Sequence, residues 1–128
     1  MATENPQCQT FVATADLSAK QFYYVKLESG TDRGVTVCAA VTDSPIGILQ
    51  NAPESGQAAL VAIGGTSKVS SDEALAVGDY VGSSADGQAQ VVVIGTETTV
   101  YAMGQCVQAS GAAGELATVT VAPTGRAA

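Results

Sequence analysis

The sequence predicts an all-β fold: a small β-barrel or sandwich built from two pseudo-repeated β units, with an extended N-terminal arm and little helix. Three observations carry this expectation. Gly occurs 14 times in 128 residues, mostly between short stretches rich in Val, Ile, Thr and Tyr, which is the pattern of many short strands separated by turns. Several of those stretches alternate along the chain with period two. A set of residues also recurs 57 to 58 positions apart, for example Leu17 with Leu75 and Val61 with Val119.

The elements follow in order. The start, MATENPQCQT, is polar, and Asn5-Pro6 resists regular structure. Residues 1–12 therefore read as an extended arm, either frayed or ordered on a partner by adding a strand to its sheet. Phe22 to Leu27 reads as a strand, and Gly30 to Gly34 as a loose hairpin connection. Val35, Val37, Ala39 and Val41 then give one apolar strand face. Ala58 to Ile63 is an apolar run of strand length. Ser70, with Glu73 three residues on, is a capping pair for one short turn of helix that Gly78 ends. Gln90 to Ile94 is a strand, and Asp86-Gly87 before it fits a type I′ turn. Leu116 to Ala122 alternates Ala117, Val119 and Val121 against Thr residues.

The recurrence aligns Leu17–Tyr23 with Leu75–Val81, Ile46–Ala52 with Met103–Ala109, and Gly56–Ile63 with Gly114–Val121. It defines a single β domain over 13–122, with pseudo-repeats at about 13–65 and 71–122. Residues 1–12 fall outside the repeat, and 123–128 read as a solvated tail. Neither half alone buries enough surface to be stable.

Charge and composition narrow the function. Twelve Asp and Glu against five Lys and Arg give a formal net charge of -7, which repels a phosphate backbone and argues against nucleic acid as a partner. There is no His, so the usual general base, the usual metal ligand and every Ser-His or Cys-His pair are missing. There is no Trp either, which disfavours sugar stacking. No secretory signal and no membrane span are expected. Cys8, Cys38 and Cys106 have no C-x-x-C spacing, which excludes a zinc ribbon. Cys38 and Cys106 lie in apolar runs and are expected to be buried and inert. Cys8 lies in the polar leader.

Several motifs carry little chemistry. Gly64-Gly65-Thr66-Ser67-Lys68 lacks the Gly-Lys-Ser/Thr order of a phosphate loop. Asp72-Glu73 reads as a solvated helix start rather than an acid/base pair. Asp79, Asp86 and Glu115 form a cation site only if the fold brings them together. A biotinyl carrier needs a modifiable Lys beside Met, whereas Met103 is followed by Gly104. No catalytic residue, metal ligand or cofactor is therefore assigned. The one aromatic-rich segment is Phe22-Tyr23-Tyr24. On a strand Phe22 and Tyr24 share a face, and that face is expected to meet a partner, most simply a second copy of the chain.

The pattern Leu75-x-x-Gly78-Asp79-Tyr80-Val81, a turn at Asp86-Gly87, then Met103-Gly104 and a Gly-rich turn at Gly111 to Gly114 before a closing Val strand resembles the small capsid decoration (cement, head-stabilising) proteins of tailed bacteriophages. The resemblance covers roughly residues 11–122. The first copy departs from it, with Lys20-Gln21 in place of Gly78-Asp79. The resemblance implies a non-enzymatic protein of the outer capsid surface, made in the host bacterial cytoplasm. It implies a homotrimer that bridges neighbouring major capsid proteins. Candidate capsid contacts are the arm residues Thr3, Glu4, Asn5, Pro6, Gln7, Gln9 and Phe11, with Phe22 and Tyr24 at an oligomer or capsid interface. The alternatives are another virion β component, such as a tail-tube, spike or fibre module, or a small ligand- or carbohydrate-binding β module.

Overall fold

The computed structural model describes residues 6–93 and 100–122, and the described residues form nine strands and no helix. In chain order they are β1 (Pro6–Ala13), β2 (Tyr24–Leu27), β3 (Gly34–Val37), β4 (Pro45–Leu49), β5 (Ala58–Ser70), β6 (Tyr80–Ser83), β7 (Ala89–Val91), β8 (Gly104–Gln108) and β9 (Leu116–Thr120). The lateral order is β1-β3-β2-β4-β5-β9-β8-β6-β7, and β1 also pairs with β5. That extra pairing closes β1, β3, β2, β4 and β5 into a small five-stranded barrel, which removes its free edges apart from one stretch of β1.

The remaining strands repeat this plan. A hairpin (β2–β3, then β6–β7) is followed by a strand antiparallel to its first member (β4, then β8) and by another antiparallel to that (β5, then β9). The registers match as well. Val12, Phe11 and Thr10 face Ala58, Ala59 and Leu60, while Ser70, Val69 and Lys68 face Leu116, Ala117 and Thr118. A parallel contact of Val12 and Ala13 with Gly34 and Val35 has its counterpart in the parallel bridge Ser71–Ala89. The long β5 is thus shared: its first half closes the barrel and its second half opens the second unit.

Residues 6–13 therefore occupy in the first unit the place that 64–71 occupy in the second. This corrects the placement of 6–12 outside the repeat and in an arm separate from the body. The two segments, PQCQTFVA and GGTSKVSS, share no residue at equivalent positions. A strand is held in its ladder by main-chain groups, so side-chain comparison does not detect the equivalence.

Two cores result. Ala13, Leu17, Val25, Val35, Leu49, Ala59 and Val61 form one. Tyr24, Cys38, Ile48 and Ala62 join Val69, Leu75, Val81, Met103, Cys106, Ala117 and Val119 in the other. Neighbours on one strand point to opposite faces, so Tyr24 and Val25, Ile48 and Leu49, and Val61 and Ala62 divide between the two cores. Around these pairs the barrel wall is buried on both sides, because the second unit covers its outer face there.

Local corrections follow from tertiary bonds. The expected helix at Ser70–Glu73 is absent because its main chain is already engaged. Ser71 N–H donates to Glu115 O, Asp72 N–H donates to Ala89 O, and the Glu73 carboxylate accepts the Val91 N–H at 2.9 Å. The Asp86-Gly87 turn is not type I′: Gly87 has φ 84 and Asp86 is not at positive φ. Gly87 N–H donates to Ser84 O and Ser84 N–H to Gln88 O, a three-residue loop ending in a left-handed Gly. The strand expected over Val35 to Val41 stops at Val37. There the Asp43 carboxylate accepts the Ala39 and Ala40 N–H groups at 2.9 and 3.0 Å and pairs with Lys26 at 3.2 Å.

Burial acting alone raises the pKa of Asp43, but the Ala39 N–H, Lys26 and the Ala40 N–H together hold it below its ordinary value. A carboxylate with a lowered folded pKa stabilises the fold above its unfolded pKa and loses that contribution as the pH falls through the folded one. Asp43→Asn is accordingly expected to melt at lower temperature than the native protein at neutral pH. The gap should close as the pH drops below about 3, which paired thermal melts at the two pH values read directly.

Candidate interaction surface

The residues assigned to partner contact fall in three environments. Thr3, Glu4 and Asn5 lie outside the described residues. Pro6, Gln7, Gln9 and Phe11 lie on β1. Gln7 marks a bulge, because the register against β5 shifts between Gln7 and Cys8. An added Cβ on Gly64, the residue facing it, would stand 2.8 Å from the Gln7 Oε1. Gln7 and Gln9 are exposed. Phe11 turns half-buried toward the first core. Gly64-Gly65 sits inside β5 rather than in a loop.

Arg33 fastens this strand, and it escaped the sequence reading. It stands at the end of the β2–β3 hairpin with φ 56. Its carbonyl accepts the Val12 N–H at 2.8 Å. Its guanidinium donates to Thr10 O from Nε at 3.0 Å and from Nη2 at 2.5 Å, and stacks over the Phe11 ring at 4.7 Å. An Arg in a polar turn carries no periodic signal, so only the folded chain reveals this clamp.

Phe22 and Tyr24 do not form a shared outward face. Phe22 has φ 68, which lies outside strand geometry; it is half-buried against the second core, and its carbonyl accepts the Ser70 N–H. Tyr24 is fully buried. The expected aromatic interface at these two residues is corrected on that ground: the second unit occupies the surface they would have offered. The exposed tyrosine is Tyr80, at 45% exposure. It pairs with Gln105, while Val77 and Val107 are exposed on the same two segments, linked by the Gly78 N–H to Cys106 O bond.

The titratable groups are held locally. Asp79 accepts the Ala76 N–H and Glu115 the Gly111 N–H, and Asp79, Asp86 and Glu115 do not gather. Among the described residues no group of three or more acidic or thiol side chains could hold a metal ion. Cys38 and Cys106 are buried, and Cys8 is half-exposed; all three are free thiols. Burial pushes the Cys38 thiol up to about 11, with the nearby Ser83 opposing and Asp43 adding to the rise. Burial also raises Cys106. The thiolate is the reactive form, so a disulfide-exchange reagent at neutral pH is expected to titrate one thiol in the native protein and three in concentrated urea. Modification of Cys38 in the native state would contradict the burial of the second core.

No known protein-family model matches this sequence, and no curated protein matches it. A solved structure does match in fold. The head fiber gp8.5 N base of bacteriophage phi29 superposes with a TM-score of 0.69 and 19% sequence identity, over 92% of this chain and 95% of that one. At that identity the likeness is one of architecture, and it spans both units.

Proposed function

We propose that this chain is a non-enzymatic structural component of a bacteriophage virion, attached to the head as a fibre base or decorating module. The observation that carries this reading is the match, along nearly the full length of both chains, to a phage head fiber base. The physical character of the fold is compatible. A small barrel and a second β unit share one continuous strand, and the strands are tied by main-chain bonds to their neighbours, which suits a passive, rigid connector. The turn pattern from Leu75 to Gly114 favours a finer version, in which the chain decorates the outer capsid surface and bridges neighbouring major capsid proteins as a homotrimer. Under that version the acidic charge of -7 keeps the protein away from packaged DNA.

Immunogold labelling of purified virions tests both levels. Label on the head supports the reading. Label confined to the tail makes the chain a tail component, and absence from the whole particle removes the virion role. Sedimentation of the free protein tests the trimer separately.

A further inference from the structure

β1 has two edges, and among the described residues only one is filled along its length. One edge runs along β5 from Pro6 to Val12. The other meets β3 at Val12 and Ala13 alone. In an antiparallel ladder the main-chain groups of successive residues point to opposite edges. The Val12 N–H donates to Arg33 O, and the Thr10 carbonyl accepts the Arg33 guanidinium. Val12, Thr10 and, two residues back, Cys8 thus present their main-chain groups away from β5. Among the described residues nothing takes the Thr10 N–H or the N–H and C=O of Cys8 at that edge.

Apart from the Thr10 carbonyl, which the Arg33 guanidinium covers, this edge lacks the usual protection. Edge strands are normally blunted by charge, proline or a covering segment. In a chain of net charge -7, the eight residues PQCQTFVA carry no charge, and Pro6 guards only the beginning. Arg33 meanwhile holds Thr10 and Phe11 in place, so the strand is ordered before any partner arrives.

The geometry points to the Cys8–Thr10 edge as a strand-addition site that receives an extended segment of a neighbouring virion protein, recognised through its main-chain N–H and C=O groups. This rests on the virion reading above. The partner is a shell component rather than a second copy for two reasons. Two copies edge to edge would each bring a charge of -7, which opposes pairing. Three main-chain groups also make an edge too short for a stable free dimer, which needs about 1,200 Å² of buried surface or more, but sufficient where many copies share one lattice.

The test uses the full chain and purified heads lacking it. Thr10→Pro removes the edge N–H while keeping the carbonyl that Arg33 holds, and proline is tolerated where the N–H faces outward. A Gln7→Ala, Gln9→Ala double variant leaves the main chain untouched. Thr10→Pro is expected to lose about tenfold or more in apparent affinity for heads, and the double variant less than about threefold. In the wild type, the Thr10 and Cys8 amides should exchange quickly in the free protein and slowly on heads. Exchange decides the matter if Thr10→Pro does not fold by circular dichroism. Unchanged binding of a folded Thr10→Pro, or fast Thr10 exchange on heads, overturns strand addition while leaving the virion role intact. A wild-type protein that does not bind heads at all overturns the virion role and the inference with it. A free dimer that Thr10→Pro abolishes would give the edge to a second copy and overturn the proposed occupant.

Discussion

Gly104→Ala is expected to destabilise the protein by about 3 kcal/mol or more, and Gly47→Ala by a comparable amount. An ideal Cβ on Gly104 would stand 2.0 Å from Thr120 O and 2.6 Å from Thr120 Oγ1, at φ 146. That places a methyl inside a backbone carbonyl, in a conformation that L side chains rarely adopt. The Thr120 Oγ1 cannot simply move aside, because it accepts the Gln105 N–H at 2.9 Å. Gly47 is the counterpart in the first unit. Its Cβ would stand 2.1 Å from Ala62 O without a positive φ, so close approach alone makes the cost. In both units the glycine lets two antiparallel strands, β4 on β5 and β8 on β9, come together with the barrel wall tightly curved. Urea unfolding measures the loss, with Gly30→Ala as control: nothing lies within 4 Å of that position, and a change below about 0.5 kcal/mol is expected there. A Gly104→Ala protein as stable as the control would mean that β8 and β9 do not approach as described.

Replacing Tyr24 should act in opposite directions depending on the substitute. Tyr24→Ala is expected to cost about 3–5 kcal/mol, as for any large aromatic removed from a packed core. Tyr24→Phe is expected to stabilise by about 1 kcal/mol or more, a rise of roughly 4 °C in melting temperature. The ring is fully buried in the second core, and its hydroxyl has no hydrogen-bond partner among the described residues. Burial, with the thiols of Cys38 and Cys106 nearby, raises its pKa well above the ordinary phenol value. Phe keeps the packing and removes an oxygen stripped of water for no returned bond. A destabilised Tyr24→Phe would show that the hydroxyl has a partner in solution. If instead the residue were a surface contact, Tyr24→Ala would leave stability nearly unchanged, so one pair of melts separates burial from display.

The two cases mark the limits of reading this chain. Gly47 and Gly104 were visible as a repeated pair, because a Gly conserved across the two halves of one sequence leaves a trace at a constant spacing. What that trace does not show is the carbonyl that an added Cβ would meet at 2.0 Å, which belongs to a strand more than a dozen residues on. Tyr24 went the other way. Its aromatic neighbours suggested an outward face, since a strand buried on one side displays the other. The strand is buried on both, because the second unit lies against the outside of the first. The Ser70–Glu73 capping pattern failed for a related reason: local preference for a helical turn is worth about 1 kcal/mol, and the bonds of that segment to Ala89, Val91 and Glu115 outweigh it.

The sequence by itself determined the all-β class, the strand-length segments, most turn positions and the two-fold recurrence of its elements. All of these depend on period, glycine placement and spacing, which act along the chain. Only the tertiary structure decided that residues 6–13 belong to the barrel, that β5 serves both units, that Arg33 locks β1, and that the edge at Cys8 and Thr10 stays open among the described residues. Each of those is settled by hydrogen bonds and close packing between distant segments, and the main-chain bonds among them depend on where a residue lies more than on what it is.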